Sequence, residues 1–126
     1  MTDLYHRLRN LRFLLIEDDV WVRDSLLLFF ESEGCNITAL QTAEEALDLI
    51  ENRHFDIIIT DYRLPGMNGL EFIRKLKQKQ SQQVIILITA YGNKNIFNEA
   101  RKAGVKECIP KPFNSEAIEA SLERLL

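Results

Sequence analysis

Three aspartates, a threonine and a lysine stand where four apolar runs of the sequence end. They are Asp18 and Asp19, Asp61, Thr89 and Lys111. Carboxylate oxygens are ligands that suit Mg²⁺, and a metal ion together with an ammonium group neutralises the oxygens of a phosphoryl group during transfer. A carboxylate held between them can act as the nucleophile. These residue types predict phosphoryl transfer to Asp61, provided that the fold brings them together.

The acidic cluster Glu17-Asp18-Asp19 directly follows the first apolar run. Three adjacent acids repel one another, so a compensating cation is expected nearby, with Mg²⁺ favoured and Mn²⁺ as an alternative. The same residues are also typical of a helix start, where a side-chain oxygen accepts hydrogen bonds from free backbone amides. A metal site and a helix cap therefore both remain open for this cluster.

Thr89 and Lys111 each have a structural and a chemical interpretation. The Thr89 hydroxyl can donate a hydrogen bond to a bound oxygen, or it can cap the turn that follows its strand. Lys111 lies between Pro110 and Pro112, which restrict the backbone and so help to aim the ammonium group. The Lys111-Pro112 bond is also a candidate for the cis form.

The elements that must position these residues alternate regularly along the chain. Five short apolar runs predict strands, at residues 13–16, 35–40, 56–60, 84–89 and 105–109. Helical spacing of apolar residues follows each run, which predicts five helices. Alternation of this kind implies parallel strands joined by helical crossovers, hence a doubly wound α/β sheet covered on both faces. The carboxyl ends of parallel strands share one edge of the sheet, so we expect the five candidate residues to meet there.

Capping signals support the predicted helices. Thr42 and Asn68 are each followed three residues later by a glutamate, a spacing typical of a capping box. Gly34 and Gly104 stand where the first and fourth helices should end, and each supplies an easy left-handed cap.

Length and charge narrow the class of protein. The chain has 126 residues, enough for one domain, and its net charge of -3 argues against a general nucleic-acid binder. Residues 1–11 lack the apolar core of a secretory signal, and no run approaches a membrane span, so we expect a cytoplasmic protein. Cys35 and Cys108 form neither a disulfide framework nor a metal spacing, and we expect both to be reduced.

Taken together, the motifs resemble the receiver domains of two-component response regulators. The resemblance extends from Arg12 to Leu126 and leaves residues 1–11 as an N-terminal arm. It rests on Asp18-Asp19, Asp61, Pro65 with Gly69, Thr89-Ala90 and Lys111-Pro112-Phe113. The resemblance implies a flavodoxin-like (βα)5 fold with five parallel strands in the order 2-1-3-4-5.

The resemblance also implies a role for each candidate residue. Asp61 would accept a phosphoryl group from a phosphohistidine of a sensor kinase or phosphotransfer protein, with Thr89 and Lys111 at the phosphoryl oxygens. Asp19, Asp61 and the backbone carbonyl of Arg63 would bind Mg²⁺, with Asp18 nearby through water. The protein would then not be a classical enzyme, although it would catalyse its own phosphorylation and slow autodephosphorylation.

Four positions concern how phosphate is sensed and how long it persists. Many receivers carry an aromatic residue three positions before the lysine, and this sequence has Cys108 there. A thiol cannot replace a ring that turns inward, so the usual route of signal transmission is in doubt, and Tyr91 or Phe97 are alternative candidates. Arg63 and Tyr91 each lie two residues beyond a motif residue, and we predict that they influence access of the hydrolytic water.

Several functional alternatives remain open from the sequence. The expected output surface is the face formed by the fourth helix, fifth strand and fifth helix of the predicted set, which would contact a downstream protein, a further output domain or a second copy in a homodimer. No direct binding to nucleic acid or membrane is expected. The main alternative is a receiver-like interaction module without phosphorylation control. Enzyme interpretations are weaker, because no phosphate-binding loop follows the first strand and Arg63 stands where an aspartyl-phosphate phosphatase usually has a second acid.

Overall fold

The computed structural model describes residues 2–79, 82–90 and 94–126. Five strands and six helices are formed within these residues. The strands are β1 (Arg12–Ile16), β2 (Asn36–Leu40), β3 (Ile57–Asp61), β4 (Val84–Thr89) and β5 (Glu107–Pro110). The helices are α1 (Thr2–Leu8), α2 (Val20–Ser32), α3 (Ala43–Ile50), α4 (Gly69–Lys79), α5 (Lys94–Ala103) and α6 (Ser115–Leu125).

All five strands are parallel and lie in the order β2-β1-β3-β4-β5. Every residue of β3 is buried, as expected for a β-branched run in the centre of a sheet with helices on both faces. The predicted strand order, parallel direction and α/β class are confirmed. Strand β5 begins two residues later than predicted, because the Val105 amide still bonds to the Ala100 carbonyl of α5. The Lys106 amide is the first to bond to β4, at the Ile85 carbonyl.

The two faces of the sheet carry separate apolar cores. Helices α3, α4 and α5 cover one face, where alternate strand residues such as Leu14 and Ile58 are buried. Helices α1, α2 and α6 cover the other face, where Phe13 and Ile57 are buried. Alternate residues of one strand therefore serve opposite cores, and this two-sided burial fixes the register of each strand.

The predicted caps are present. Thr42 and Glu45 form a capping box, and Asn68 exchanges the same pair of hydrogen bonds with Glu71. Gly34 and Gly104 adopt left-handed backbone angles, with φ of 79° and 107°. Local sequence and tertiary fold therefore agree at these helix ends.

The N-terminal segment contains a helix that the sequence analysis did not predict. Leu4 and Leu8 of α1 are fully buried, and Tyr5 packs edge-on against the ring of Phe29. Arg7 also pairs with Glu123 of α6 at 3.6 Å. Only a few apolar residues are available in so short a stretch, and its burial depends on surfaces of α2 and α6 that the sequence does not reveal locally.

The core contribution of α1 gives a testable prediction. Leu8→Ala should lower the free energy of unfolding by about 3 kcal/mol, because it leaves a cavity in a closed core. Leu28→Ala is the control, since Leu28 is 70% exposed on α2, and its effect should stay within about 0.5 kcal/mol. Urea unfolding measures both, and a loss at Leu8 no larger than at Leu28 would contradict the packing of α1.

Both cysteines are free, and they lie at opposite edges of the sheet, Cys35 just before β2 and Cys108 in β5. Their separation by the whole width of the sheet agrees with the expectation that they do not pair with each other. None of the helices in the described part of the chain is long and apolar enough to cross a membrane.

Candidate functional site

Asp61 is the last residue of β3 and lies at the carboxyl edge of the sheet. Its side chain is almost buried, with 6% of the residue exposed. The backbone N–H of Arg63 donates to Asp61 Oδ1 at 3.2 Å, which turns the chain sharply at the end of the strand. Asp61 is therefore a fixed carboxylate at the mouth of the central strand.

Lys111 lies between two carboxylates. Its Nζ donates to Asp61 Oδ2 at 2.8 Å and lies 2.7 Å from Glu17 Oε1. Burial alone would lower the pKa of Lys111, but Asp61 and Glu17 outweigh that effect and raise it above its ordinary value. The ammonium group is thus directed at Asp61, and the Lys111-Pro112 peptide bond, a candidate for the cis form, is cis.

Glu17 is the acid of the first cluster that enters the site. Ile16 is in register with Thr60, so the next residue, Glu17, lies beside Asp61. The Glu17 residue is fully buried, and burial, opposed by Lys111, raises the pKa of its carboxyl. Sequence reasoning placed Glu17 in the acidic cluster but gave it no role. The sequence signal for a buried side chain was its position directly after four apolar residues, 13–16.

Asp18 and Asp19 have different hydrogen-bond partners. The Asp19 Oδ1 atom accepts from the backbone amides of Trp21 and Val22 at 2.9 and 3.3 Å, so Asp19 is the N-cap of α2. The exposed Asp18 receives a long hydrogen bond from Gln41 at 3.4 Å. Of the two interpretations of the cluster, capping holds for Asp19, and its role as a metal ligand stays a prediction that this geometry does not favour.

Thr89 and Gly69 complete the surroundings of Asp61. Thr89 ends β4, is fully buried, and its carbonyl accepts the backbone N–H of Lys111 at 3.0 Å. A Cβ atom on Gly69 would lie 2.2 Å from the Asp61 carbonyl oxygen, so no side chain fits there. The first turn of α4 is thus packed directly on the backbone of the candidate nucleophile.

Cys108 lies in β5 and lines a cavity of about 430 Å³ that also borders Thr89 and Phe97. Burial raises the pKa of the Cys108 thiol above its ordinary value. Phe97 therefore shares a cavity with Thr89, as one of the two aromatic alternatives should. Tyr91, the other alternative, lies outside the described residues.

The donor atoms fit a hard divalent cation. Glu17 and Asp61 bring two buried carboxylates to the Lys111 ammonium, the exposed Asp18 follows Glu17 directly, and Arg63 lies in the turn after Asp61. Within the described ranges, no three His, Cys, Asp or Glu side chains come close enough together to enclose a metal ion. An open donor set of this kind suits Mg²⁺, which keeps several waters and uses only one or two carboxylates.

The cap at Asp19 gives a prediction that separates the two aspartates. Asp19→Ala should lower the free energy of unfolding by about 1 kcal/mol, because two amides of α2 lose their acceptor. Asp18→Ala is the matched control and should cost no stability in metal-free buffer, since it removes one charge from an acidic cluster. Urea unfolding with a chelator compares them, and an equal loss in both variants would contradict the assigned cap.

Comparison with known proteins places the chain in a family. The model of the response regulator receiver domain matches residues 13–123. The transcriptional regulatory protein FixJ of Bradyrhizobium diazoefficiens is 32% identical to this chain, and the match covers 86% of this chain and 53% of FixJ. The two-component response regulator PhoP of Pseudomonas aeruginosa is 35% identical, and the match covers 92% of this chain and 52% of PhoP. The chain thus spans about half the length of these curated relatives.

Solved structures agree with the sequence comparison. The chemotaxis response regulator CheY4 of Vibrio cholerae superposes with a TM-score of 0.83 at 27% identity, covering 92% of this chain and 98% of that chain. The non-phosphorylated HemR receiver domain of Leptospira biflexa gives a TM-score of 0.84 at 29% identity, covering 90% and 92%. This chain belongs to the receiver domains of two-component response regulators.

Proposed function

We propose that this receiver domain is a phosphorylation-controlled switch in which Asp61 is the phosphoacceptor. The proposal rests on the position of the Lys111 ammonium group between two buried carboxylates. Its Nζ lies 2.8 Å from Asp61 Oδ2 and 2.7 Å from Glu17 Oε1. A structural ion pair needs only one acid, whereas a second buried acid leaves excess negative charge at the mouth of the sheet. That excess suits a site that receives a cation together with a phosphoryl group.

The proposed reaction is a direct transfer. A carboxylate oxygen of Asp61 forms a bond to phosphorus while the bond between phosphorus and a histidine nitrogen of the donor breaks, and that nitrogen keeps the electron pair. The Lys111 ammonium group, which contacts the Asp61 carboxylate before transfer, contacts the negatively charged phosphoryl oxygens during transfer. The Thr89 hydroxyl, at the end of the neighbouring strand, donates to another of these oxygens.

We further propose that Asp61, Asp18 and the Arg63 carbonyl hold Mg²⁺, or Mn²⁺ in its place, with Glu17 supporting the site from beneath. When bound, the metal ion neutralises charge on the transferring oxygens. The buried position of Glu17 and the capping bonds of Asp19 support Glu17 and Asp18 over Asp19 in this set.

The phosphodonor is proposed to be a sensor histidine kinase or a phosphotransfer protein. An apolar groove of about 610 Å³ beside the site supports such a contact, since it runs from Trp21 on α2 to Pro112 and Phe113 and is also lined by Lys111. Trp21 is 82% exposed at its rim. A donor that covers this groove would bring its histidine close to Asp61 and exclude water from the transfer.

The proposed output passes through α5, β5 and α6, the described counterparts of the predicted fourth helix, fifth strand and fifth helix. Cys108 lies on this route without a ring, and the cavity that it shares with Thr89 and Phe97 supports Phe97 as the group that responds to phosphate. The influence of Arg63 and Tyr91 on loss of the phosphoryl group stays a prediction.

Acetyl phosphate with Mg²⁺ tests the proposed function. The intact mass should increase by one phosphoryl group in the parent protein and not in Asp61→Asn. Asp56→Asn is the matched control, because Asp56 precedes the same strand at its other end and binds the Arg12 amide, and it should still be phosphorylated. No mass increase in the folded parent protein would support the alternative of an interaction module without phosphorylation control.

A further inference from the structure

Arg23 is a residue of the acidic loop that neither the motifs nor the proposed reaction uses. It is the fourth residue of α2 and is half-buried. Its Nη1 donates to the backbone carbonyl of Glu17 at 3.0 Å and lies 3.5 Å from the carbonyl of Asp18. The guanidinium group therefore binds the main chain at the two residues whose side chains supply the acids.

From these contacts we infer that Arg23 is a positioning residue for the metal-binding acids, an inference that rests on the proposed function. The peptide between Glu17 and Asp18 leaves the sheet after the last β1 residue, and its neighbouring amide at Asp19 is held by Glu17 Oε2 at 3.0 Å. Arg23 holds the carbonyl side of the same turn. Together these bonds fix the backbone from which the buried Glu17 carboxylate reaches Lys111 and the exposed Asp18 carboxylate reaches Gln41.

Gln41 adds a second support from the loop before α3. Its amide Nε2 lies 3.4 Å from Asp18 Oδ1, and the Glu17 amide donates to the Leu40 carbonyl at 3.0 Å. The acidic loop is thus held from α2 on one side and from the end of β2 on the other. Partners that orient metal-binding carboxylates contribute strongly to metal affinity, and their loss typically weakens binding by about 10- to 100-fold.

Charge and geometry predict opposite effects at Arg23, which makes the inference easy to test. Removing a cation from the acidic loop would, by electrostatics alone, favour the binding of a metal cation. Removing the hydrogen bonds that orient these carboxylates would weaken binding. We expect geometry to dominate, because Arg23 binds carbonyl groups and no ion pair of Arg23 with these acids is found among the described residues.

The experiment measures metal binding directly in Arg23→Met, which keeps the aliphatic stem but removes the donors. The free Mn²⁺ signal in electron paramagnetic resonance gives the Kd, and competition gives the value for Mg²⁺. We expect the Kd to rise by about 10-fold, while phosphorylation by acetyl phosphate returns close to the parent rate at saturating Mg²⁺. Arg74→Met is the matched control, because Arg74 pairs with Glu99 on the far helices α4 and α5, and it should bind as the parent does.

Each outcome has a defined meaning. Unchanged or tighter binding in folded Arg23→Met would overturn the positioning role and leave the proposed function intact. A parent protein that binds neither metal would overturn both. Should Arg23→Met fail to fold, Arg23→Ala carries the test, since it also removes the donors and favours the helix. Weaker binding in Arg23→Ala supports positioning, and parent-like binding contradicts it.

Discussion

Lys111→Met is expected to destabilise the metal-free protein and to slow its phosphorylation. The ammonium group lies between two carboxylates whose side chains are 1% and 8% exposed, and its loss leaves both without their counter-charge. Removing one partner of a buried ion pair typically costs about 3 kcal/mol or more. Urea unfolding in the presence of a chelator measures the loss of stability, and acetyl phosphate measures the rate.

Two controls make the Lys111 result specific. Lys106→Met removes an exposed lysine directly before β5, the strand that leads to Lys111. Its effect on the free energy of unfolding should stay within about 0.5 kcal/mol. In an Asp61→Asn background, Lys111→Met should cost less, because only Glu17 then remains as a buried charge. An equal cost in both backgrounds would show that Lys111 and Asp61 do not interact as the 2.8 Å contact requires.

Gly69→Ala is expected to disturb both stability and the site. The new methyl group would lie 2.2 Å from the carbonyl oxygen of Asp61 and 3.1 Å from the Tyr62 Cα atom, and both are backbone atoms that cannot move aside alone. We expect a loss of about 3 kcal/mol, at the upper end for overpacking, together with slower phosphorylation because Asp61 is displaced.

The control for Gly69 is Gly34→Ala at the end of α2. Gly34 has a φ of 79°, and its Cβ position faces the flexible side chain of Arg9, so the cost is backbone strain of about 1 kcal/mol. Gly34→Ala should leave phosphorylation unchanged. If Gly69→Ala keeps the parent rate as well, the close packing of α4 on Asp61 has no role in the site.

The sheet was predictable because its signals are local and agree with one another. The apolar run that ends at Asp61 has the length and composition of a central strand, and Thr42 and Asn68 mark helix starts by side-chain chemistry alone. A parallel sheet then brings strand ends to one edge without further information. The same rule predicts that Asp61, Thr89 and Lys111 share one edge of the sheet, where the structure has them.

The remaining features depend on packing or on one-residue register, which the sequence expresses weakly. Three consecutive acids look alike in sequence, yet Glu17 is buried beside Lys111 whereas Asp19 caps α2. Helix α1 has a buried face only because α2 and α6 provide one. Arg23 donates to backbone carbonyl groups. Every residue has such an acceptor, so the sequence does not indicate which one an arginine binds.

Trapping the acyl phosphate at its residue tests the central claim most directly. The parent protein is treated with acetyl phosphate and Mg²⁺, then with borohydride, which reduces an aspartyl phosphate to homoserine, and peptides are sequenced by mass spectrometry. We predict homoserine at position 61 and at no other aspartate. Homoserine at position 18 or 19 instead, or a phosphorylated protein without homoserine at position 61, would contradict Asp61 as the phosphoacceptor.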